Sequence, residues 1–379
     1  MIYKSFQDKE LSALGMGAMR LPTVDGNPMS EIDEAQVEEM VAYAMEQGIN
    51  YYDTAYGYHD GKSEVVMGKV LAKYPREKFY LADKFPGYDL SNMDKVEAIF
   101  EEQLQKTGME YFDFYLFHNV CELNVEQYLD PKYGIMDYLW KQKENGRIKH
   151  LGFSAHARVD VMKKFLEKYG DRMEFCQIQL NYLDWTLQEA KEKVDLLNEK
   201  NIPIWVMEPL RGGKLASLTD EQTADFKKLR PDETAAAWAF RYLQGIEGVT
   251  VTLSGMSSLA QLKENIETFQ TEKPLNDEEQ AAVQKVTDSM LDILPCTSCR
   301  YCTSHCPKKL DIPNLLFMYN ELKFNNGFIT QMGIGAMKEE ERPSACVGCR
   351  SCEAVCPQTI KISEVMKDFV ERMNQPVQW

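Results

Sequence analysis

The chain has 379 residues, 44% hydrophobic and 27% charged, which suits a soluble globular protein and is long enough for one large domain plus a small one. Its net charge of −16 opposes nucleic acid and anionic membranes, whose phosphates are gripped by basic side chains. No run of about 18 apolar residues suggests a membrane span, and Met1-Ile2-Tyr3-Lys4 opens no basic-then-apolar leader, so a cytoplasmic protein is expected.

From Leu11 to about Thr271, short β-rich runs alternate with amphipathic helical patterns. The predicted strands are Leu14–Leu21, Asn50–Ala55, Phe79–Phe85, Phe112–His118, Ile148–Ala155, Phe175–Leu180, Pro203–Glu208 and Val249–Gly255. Helical patterns such as Ile32–Gln47, Asp94–Thr107 and Arg158–Tyr169 separate them. Strand, helix, strand, repeated about eight times, predicts an α/β fold, a closed (β/α)8 TIM barrel. The rival is an open doubly wound sheet, but no Gly-x-Gly-x-x-Gly turn follows the first strand.

Active sites of such barrels lie at the C-terminal strand ends. There the sequence puts Asp53 in Tyr-Asp-Thr-Ala, Tyr58 shortly after it, Lys84 in Ala-Asp-Lys-Phe and His118 in Tyr-Leu-Phe-His. A buried lysine needs a carboxylate partner, and Asp53 is placed to supply one. A tyrosine beside that ammonium is expected to have its pKa lowered from about 10, as a usable acid.

With these residues the barrel resembles the aldo/keto reductases, over Leu11 to about Phe269. The likeness rests on Leu14-Gly15-Met16-Gly17, Asp53-Thr54-Ala55, Tyr58, Gly61-Lys62-Ser63-Glu64, Lys84, His118, Gly152-Phe153-Ser154, Gln177 and Glu264-Asn265. The resemblance implies that Tyr58 protonates a carbonyl oxygen while a nicotinamide delivers hydride to carbon. Lys84 and Asp53 would tune Tyr58, and His118 would orient the substrate. It also implies nicotinamide contacts from Ser154 and Gln177, and adenine contacts from Glu264 and Asn265.

The sequence departs from the family in several cofactor positions. Ala155 stands where an asparagine is usual. Met207 and Glu208 replace an aromatic and a serine, and Arg211 and Lys214 in the following loop are candidate partners for the Glu208 carboxylate. Gly255 and Gln261 stand where NADPH-preferring members carry lysine and arginine, so the choice between NADH and NADPH is left open.

Beyond Thr271 the alternation ends. A polar helix pattern, Asn276–Met290, leads to Cys296, Cys299, Cys302 and Cys306 with Pro307. A second helical pattern over Pro313–Lys323 precedes Cys346, Cys349, Cys352 and Cys356 with Pro357. Two Cys-x2-Cys-x2-Cys-x3-Cys-Pro runs predict two 4Fe-4S clusters, each fourth cysteine serving the other run's cluster. Cys296, Cys299, Cys302 and Cys356 are thus assigned to one cluster, and Cys346, Cys349, Cys352 and Cys306 to the other. Zinc sites have no use for the third cysteine or the proline. The region resembles bacterial two-cluster ferredoxins, closest to the helical ferredoxin modules appended to larger redox enzymes.

The expected organisation is a barrel over residues 1–275 and a mostly helical ferredoxin-type domain over 276–379. The expected function is NAD(P)-linked interconversion of a small carbonyl or alcohol substrate, the clusters exchanging electrons with an external carrier. One alternative is a flavin- or cluster-driven reductase using the same four residues for protonation. Another is a non-catalytic electron-transfer or docking subunit.

Overall fold

The computed structural model describes residues 1–27, 30–291, 293–296, 299–324 and 328–375. The chain divides into two compact units, residues 1–284 and 285–379. The division falls within the helix Asp277–Met290, later than the expected boundary at 275/276. The start of that helix is held to the barrel: Arg230 clamps Glu279 with two hydrogen bonds of 2.6 and 2.7 Å, and both side chains are buried. A planar guanidinium against a carboxylate is well suited to such a fastening.

The first unit opens with an antiparallel hairpin, β1 (Tyr3–Phe6) and β2 (Lys9–Ser12). Sequence patterning missed it, because its residues alternate little and its partner is only its own other strand. Eight parallel strands follow: β3 (Leu14–Gly17), β4 (Tyr51–Asp53), β5 (Tyr80–Phe85), β6 (Phe112–Val120), β7 (Ile148–Ala155), β8 (Cys176–Gln179), β9 (Ile204–Met207) and β10 (Val249–Ser254). They close into a barrel in which β10 pairs with both β9 and β3. The expected (β/α)8 architecture is thus present, and the open sheet is excluded. Predicted strand Leu14–Leu21 is shorter than expected, because Ala18–Arg20 turn into a 3-10 helix at the mouth.

The hairpin plugs the bottom of the barrel. Phe6 and Leu11 pack against Tyr51, Phe114, Phe175, Trp205 and Val251 in the barrel interior. Phe6 meets the Trp205 ring edge-on at 5.1 Å, and Phe175 lies 4.7 Å from it. So bulky a filling needs space beside it. A Cβ on Gly152 would sit 2.5 Å from the Phe175 ring, so only glycine fits there. The interior is therefore solid from below, which leaves the C-terminal strand ends as the place for a site.

The second unit has its own core, built on the helices Ile312–Phe324 and Ile362–Met373. Each helix begins shortly after one Cys-Pro, and Tyr319 and Phe369 pack across at 5.7 Å. The two halves repeat in backbone detail. Arg300 and Arg350 have φ of 63° and 62°, and Lys309 and Thr359 have φ of 54° and 52°. Among the described residues no helix is long and apolar enough to cross a membrane.

Candidate active site and cluster-binding module

Asp53 ends β4 and Lys84 lies near the end of the neighbouring β5, so adjacent strands bring them together. Lys84 Nζ donates to Asp53 Oδ1 and to the Thr54 carbonyl, both at 2.7 Å. Lys84 is 0% exposed and Asp53 3%. Burial opposes charge on either side chain, and their attraction offsets it: the Asp53 carboxylate keeps the Lys84 ammonium charged despite its burial. That ammonium lies 5.1 Å from the centre of the Tyr58 ring.

Tyr58 is half-buried in the loop after β4. Its phenol is raised above the ordinary value, not lowered as expected: the dense surroundings disfavour the phenolate, and Lys84 only partly compensates. The phenol therefore keeps its proton at neutral pH, as a donor must.

His118 stands where β6 loses its regular register against β7, between Phe117 and Val120, and the next residue, Asn119, has φ of 56°. A bulge of this kind re-aims a side chain. The imidazole meets the Tyr58 ring edge-on, at 6.0 Å and 81°. Burial and the nearby Lys84 ammonium push its pKa well below the usual range, so the ring is neutral. Its Nδ1 is buried with no partner among the described residues.

One wall of this site escaped the sequence reading. Tyr88, in the loop after β5, meets His118 edge-on at 5.2 Å and 89°. Its hydroxyl would stand 2.3 Å from a Cβ on Gly57, so the ring reaches across the chain just before Tyr58. A Pro-Gly-Tyr loop gives no hint of this, since only the three-dimensional closure of β4 on β5 brings Tyr88 there.

Ser154 and Gln177 pair across β7 and β8 and are buried. Ser154 Oγ accepts the Asn119 amide at 2.7 Å. Gln177 Nε2 faces the Met207 sulfur at 3.6 Å, while its Oε1 is buried without a donor. Such an orphaned acceptor is costly unless a ligand supplies the hydrogen bond. Glu264 and Asn265 have internal partners: Glu264 accepts from Thr234 at 2.5 Å, and Asn265 donates to Ser254 Oγ at 3.1 Å, fastening its helix to β10. Arg211 forms a buried ion pair with Asp184. Glu208 has φ of 56° at the end of β9, so strained backbone occurs at the mouth beside β9 as it does beside β6.

Three other histidines resolve plainly. His59 Nε2 accepts the Leu21 amide at 3.1 Å, which holds the loop beside Tyr58. His156 bonds Gln179, and burial brings its pKa down to about 4. His305 bonds the Tyr301 carbonyl at 2.9 Å. Cys121 and Cys176 are buried, and burial pushes the Cys121 thiol up to about 11, the state of an unreactive thiol.

Beneath Lys84 lies a pair of buried carboxylates. Asp83 and Glu64 are each 0% exposed, and Gln103 Nε2 donates to both, at 2.8 and 3.0 Å. Burial and the adjacent Glu64 hold the Asp83 carboxyl well above the usual range. A raised carboxyl contributes stability below its unfolded value, near 3.9, and loses it as pH climbs through the native value. Asp83→Asn, which mimics the protonated form, should therefore flatten the pH dependence. Its melting temperature should gain on wild type as pH rises above about 4, and parallel melting curves at every pH would contradict the raised Asp83 carboxyl.

In the second unit the eight run cysteines line two cavities. One is bounded by Cys296, Cys299, Cys302 and Cys356 with Pro313, Leu316 and Ile360. The other is bounded by Cys306, Cys346, Cys349 and Cys352 with Leu310, Ile312 and Met366. Each group surrounds a space, and among the described residues no three His, Cys, Asp or Glu side chains converge as ligands of a single ion. The crossing of Cys306 and Cys356 follows from the repeated halves facing one another.

A closed parallel barrel with a buried lysine–carboxylate pair, tyrosine and histidine at its mouth, followed by a module of paired cysteine quartets, defines a barrel oxidoreductase with an iron–sulfur appendage. Residues 13–288 match the model of the aldo/keto reductase family, and residues 295–361 that of a 4Fe-4S dicluster domain. The chain belongs to the aldo/keto reductase family and is an oxidoreductase with a C-terminal 4Fe-4S domain. It is similar to "Probable aldo-keto reductase 1" of Glycine max, 29% identical over 55% of this chain and 58% of that protein. The NADH-specific methylglyoxal reductase of Escherichia coli is also 29% identical, over 55% of this chain and 66% of that protein. The chain thus spans less than two thirds of either relative. Among solved structures, the holo form of an aldo-keto reductase from Bacillus halodurans has a TM-score of 0.59 at 25% identity, covering 76% of this chain and 96% of that one.

Proposed function

We propose that the barrel interconverts a small carbonyl compound and its alcohol using NADH or NADPH, and that the second unit holds two 4Fe-4S clusters that exchange electrons with an external carrier. The observation that carries the first half is the buried Lys84–Asp53 pair at 2.7 Å, with the Tyr58 ring above it and His118 beside that ring. A charged lysine costs several kcal/mol to bury, so its retention beside Tyr58 argues for work on a neighbouring proton.

Tyr58 is the proton donor. Its hydroxyl is kept protonated by its surroundings, and the Lys84 ammonium favours the phenolate left behind, which lowers the barrier to release. Asp53 holds Lys84 in place, and neutral His118 steers the substrate oxygen toward Tyr58. Gln177 Oε1, buried and without a donor, fits the amine of a nicotinamide carboxamide, and Ser154 lies on the adjacent strand. The adenine end is assigned to the helix Leu259–Thr268, with Glu264 half-exposed on it and Asn265 fixing it to β10. A bound nicotinamide supplies the hydride, so the balance is carbonyl, hydride and the Tyr58 proton giving alcohol.

For the second half, the two cysteine quartets with apolar walls match what a 4Fe-4S cube requires. Bound clusters supply one-electron storage, and the thiolates of each quartet fix where it sits.

Protein purified without oxygen should oxidise NADH or NADPH when a short aldehyde such as methylglyoxal is added. No oxidation of either cofactor, across a set of aldehydes and ketones, would overturn the reading.

A further inference from the structure

The two positions where NADPH-preferring relatives carry cations are neutral here. Gln261 is engaged internally, its Oε1 accepting the Ser257 amide at 2.8 Å, and Gly255 has no side chain. The space a side chain at 255 would fill is taken by another residue. A Cβ built on Gly255 would lie 3.2 Å from Arg20 Cβ and 3.4 Å from its Cγ and Cδ. Arg20 ends the 3-10 turn after β3, and Ser257 Oγ donates to its carbonyl at 2.8 Å, which fixes that turn against the loop after β10. The stem then runs on toward the loop after β9, where a Cβ on Gly212 would stand 3.5 Å from Arg20 Nη2.

The guanidinium therefore lies between the loops that follow β9 and β10, at the C-terminal mouth of the barrel. Arg20 is half-buried, and its head has no ion-pair partner among the described residues. In a chain of net charge −16, an arginine without a carboxylate at a ligand-bearing mouth stands out. A dinucleotide is itself an anion, and the overall charge repels it. A planar guanidinium with open donors is suited to gripping phosphate oxygens two at a time. Gly212 and Gly213, with φ of 65° and 93°, leave the approach clear of side chains.

We infer that Arg20 is the phosphate anchor of the nicotinamide dinucleotide, supplying from the end of β3 the positive charge that Gly255 lacks. This rests on the proposed NAD(P)H reading and names a residue for it. The two arrangements exclude one another, because Arg20 in its present position crowds any side chain at 255.

The test is direct binding of NADH and NADPH to the cluster-loaded protein without oxygen, by calorimetry. Arg20→Ala and Arg20→Gln should weaken binding roughly tenfold to a hundredfold, the usual cost of a lost hydrogen bond to a charged group. A loss with both cofactors supports a pyrophosphate contact, and a loss confined to NADPH supports a contact to its 2′-phosphate. Adding Gly255→Lys to Arg20→Gly, which also removes the Cβ that stands 3.2 Å from a side chain at 255, should restore affinity, and failure to do so would overturn the claim that both positions serve one anion site. Unchanged affinity in both Arg20 variants, with wild type binding well, would overturn the inference alone. Wild type binding neither cofactor would instead refute the nicotinamide reading beneath it.

Discussion

Tyr58→Phe is expected to lower the turnover of carbonyl reduction by about a hundredfold to ten-thousandfold, the range for loss of a general acid. The ring remains, so packing against His118 and the Lys84 ammonium survives and cofactor affinity should not change. The wild-type pH profile carries the same assignment. A donor must be protonated, so the rate falls only as pH rises through the Tyr58 pKa, which its surroundings hold above 10. His118 is neutral well below its ordinary value, so no second fall is expected between about pH 6 and 8. Anaerobic steady-state rates across pH check both statements, and unchanged turnover in the Phe variant would remove Tyr58 from the chemistry.

The second large effect concerns iron. Complete wild-type protein should hold about eight irons per chain, four for each cube. Because Cys356 lines the cavity of Cys296, Cys299 and Cys302, Cys356→Ala should lose about half of them. Pairs of substitutions identify which half. Cys299→Ala with Cys356→Ala removes two corners of one cube and should still leave about four irons. Cys349→Ala with Cys356→Ala strikes both cubes and should leave almost none. If each run closed its own cluster, these two outcomes would exchange.

Much of this was legible in the sequence, for identifiable reasons. The strand Ile148–Ala155 was bounded correctly although its residues are mixed, because Asn145-Gly146 marks a turn just before it. The grouping of Cys356 with Cys296, Cys299 and Cys302 around one cavity, and of Cys306 with Cys346, Cys349 and Cys352 around the other, matches the grouping expected from the spacing of the two runs. Asp53 and Lys84 were paired in advance, since a lysine at the end of a buried strand demands a carboxylate and adjacent strands supply one.

What was not legible depended on closure in three dimensions. The bottom hairpin carries no strong alternation, and its worth comes from Phe6 entering an aromatic interior built by Tyr51, Phe114, Phe175 and Trp205, all distant in sequence. The Tyr58 phenol was expected to be lowered, because the ammonium beside it was visible in the pattern and the desolvation around it was not. Tyr88 lies on a loop whose reach no local pattern encodes. Arg20 was hidden for the same reason, since its relation to Gly212 and Gly255 exists only where the ends of β3, β9 and β10 meet.

The central claim, that hydride reaches the substrate from a nicotinamide with Tyr58 giving the proton, is tested most directly by isotope transfer. Carbonyl reduction by the cluster-loaded enzyme, supplied with NADH or NADPH deuterated at both C4 positions, should place one deuterium on the carbinol carbon of the alcohol. An alcohol whose new carbon-bound hydrogen comes from solvent would contradict the account and favour reduction by cluster electrons with protons from the same four residues.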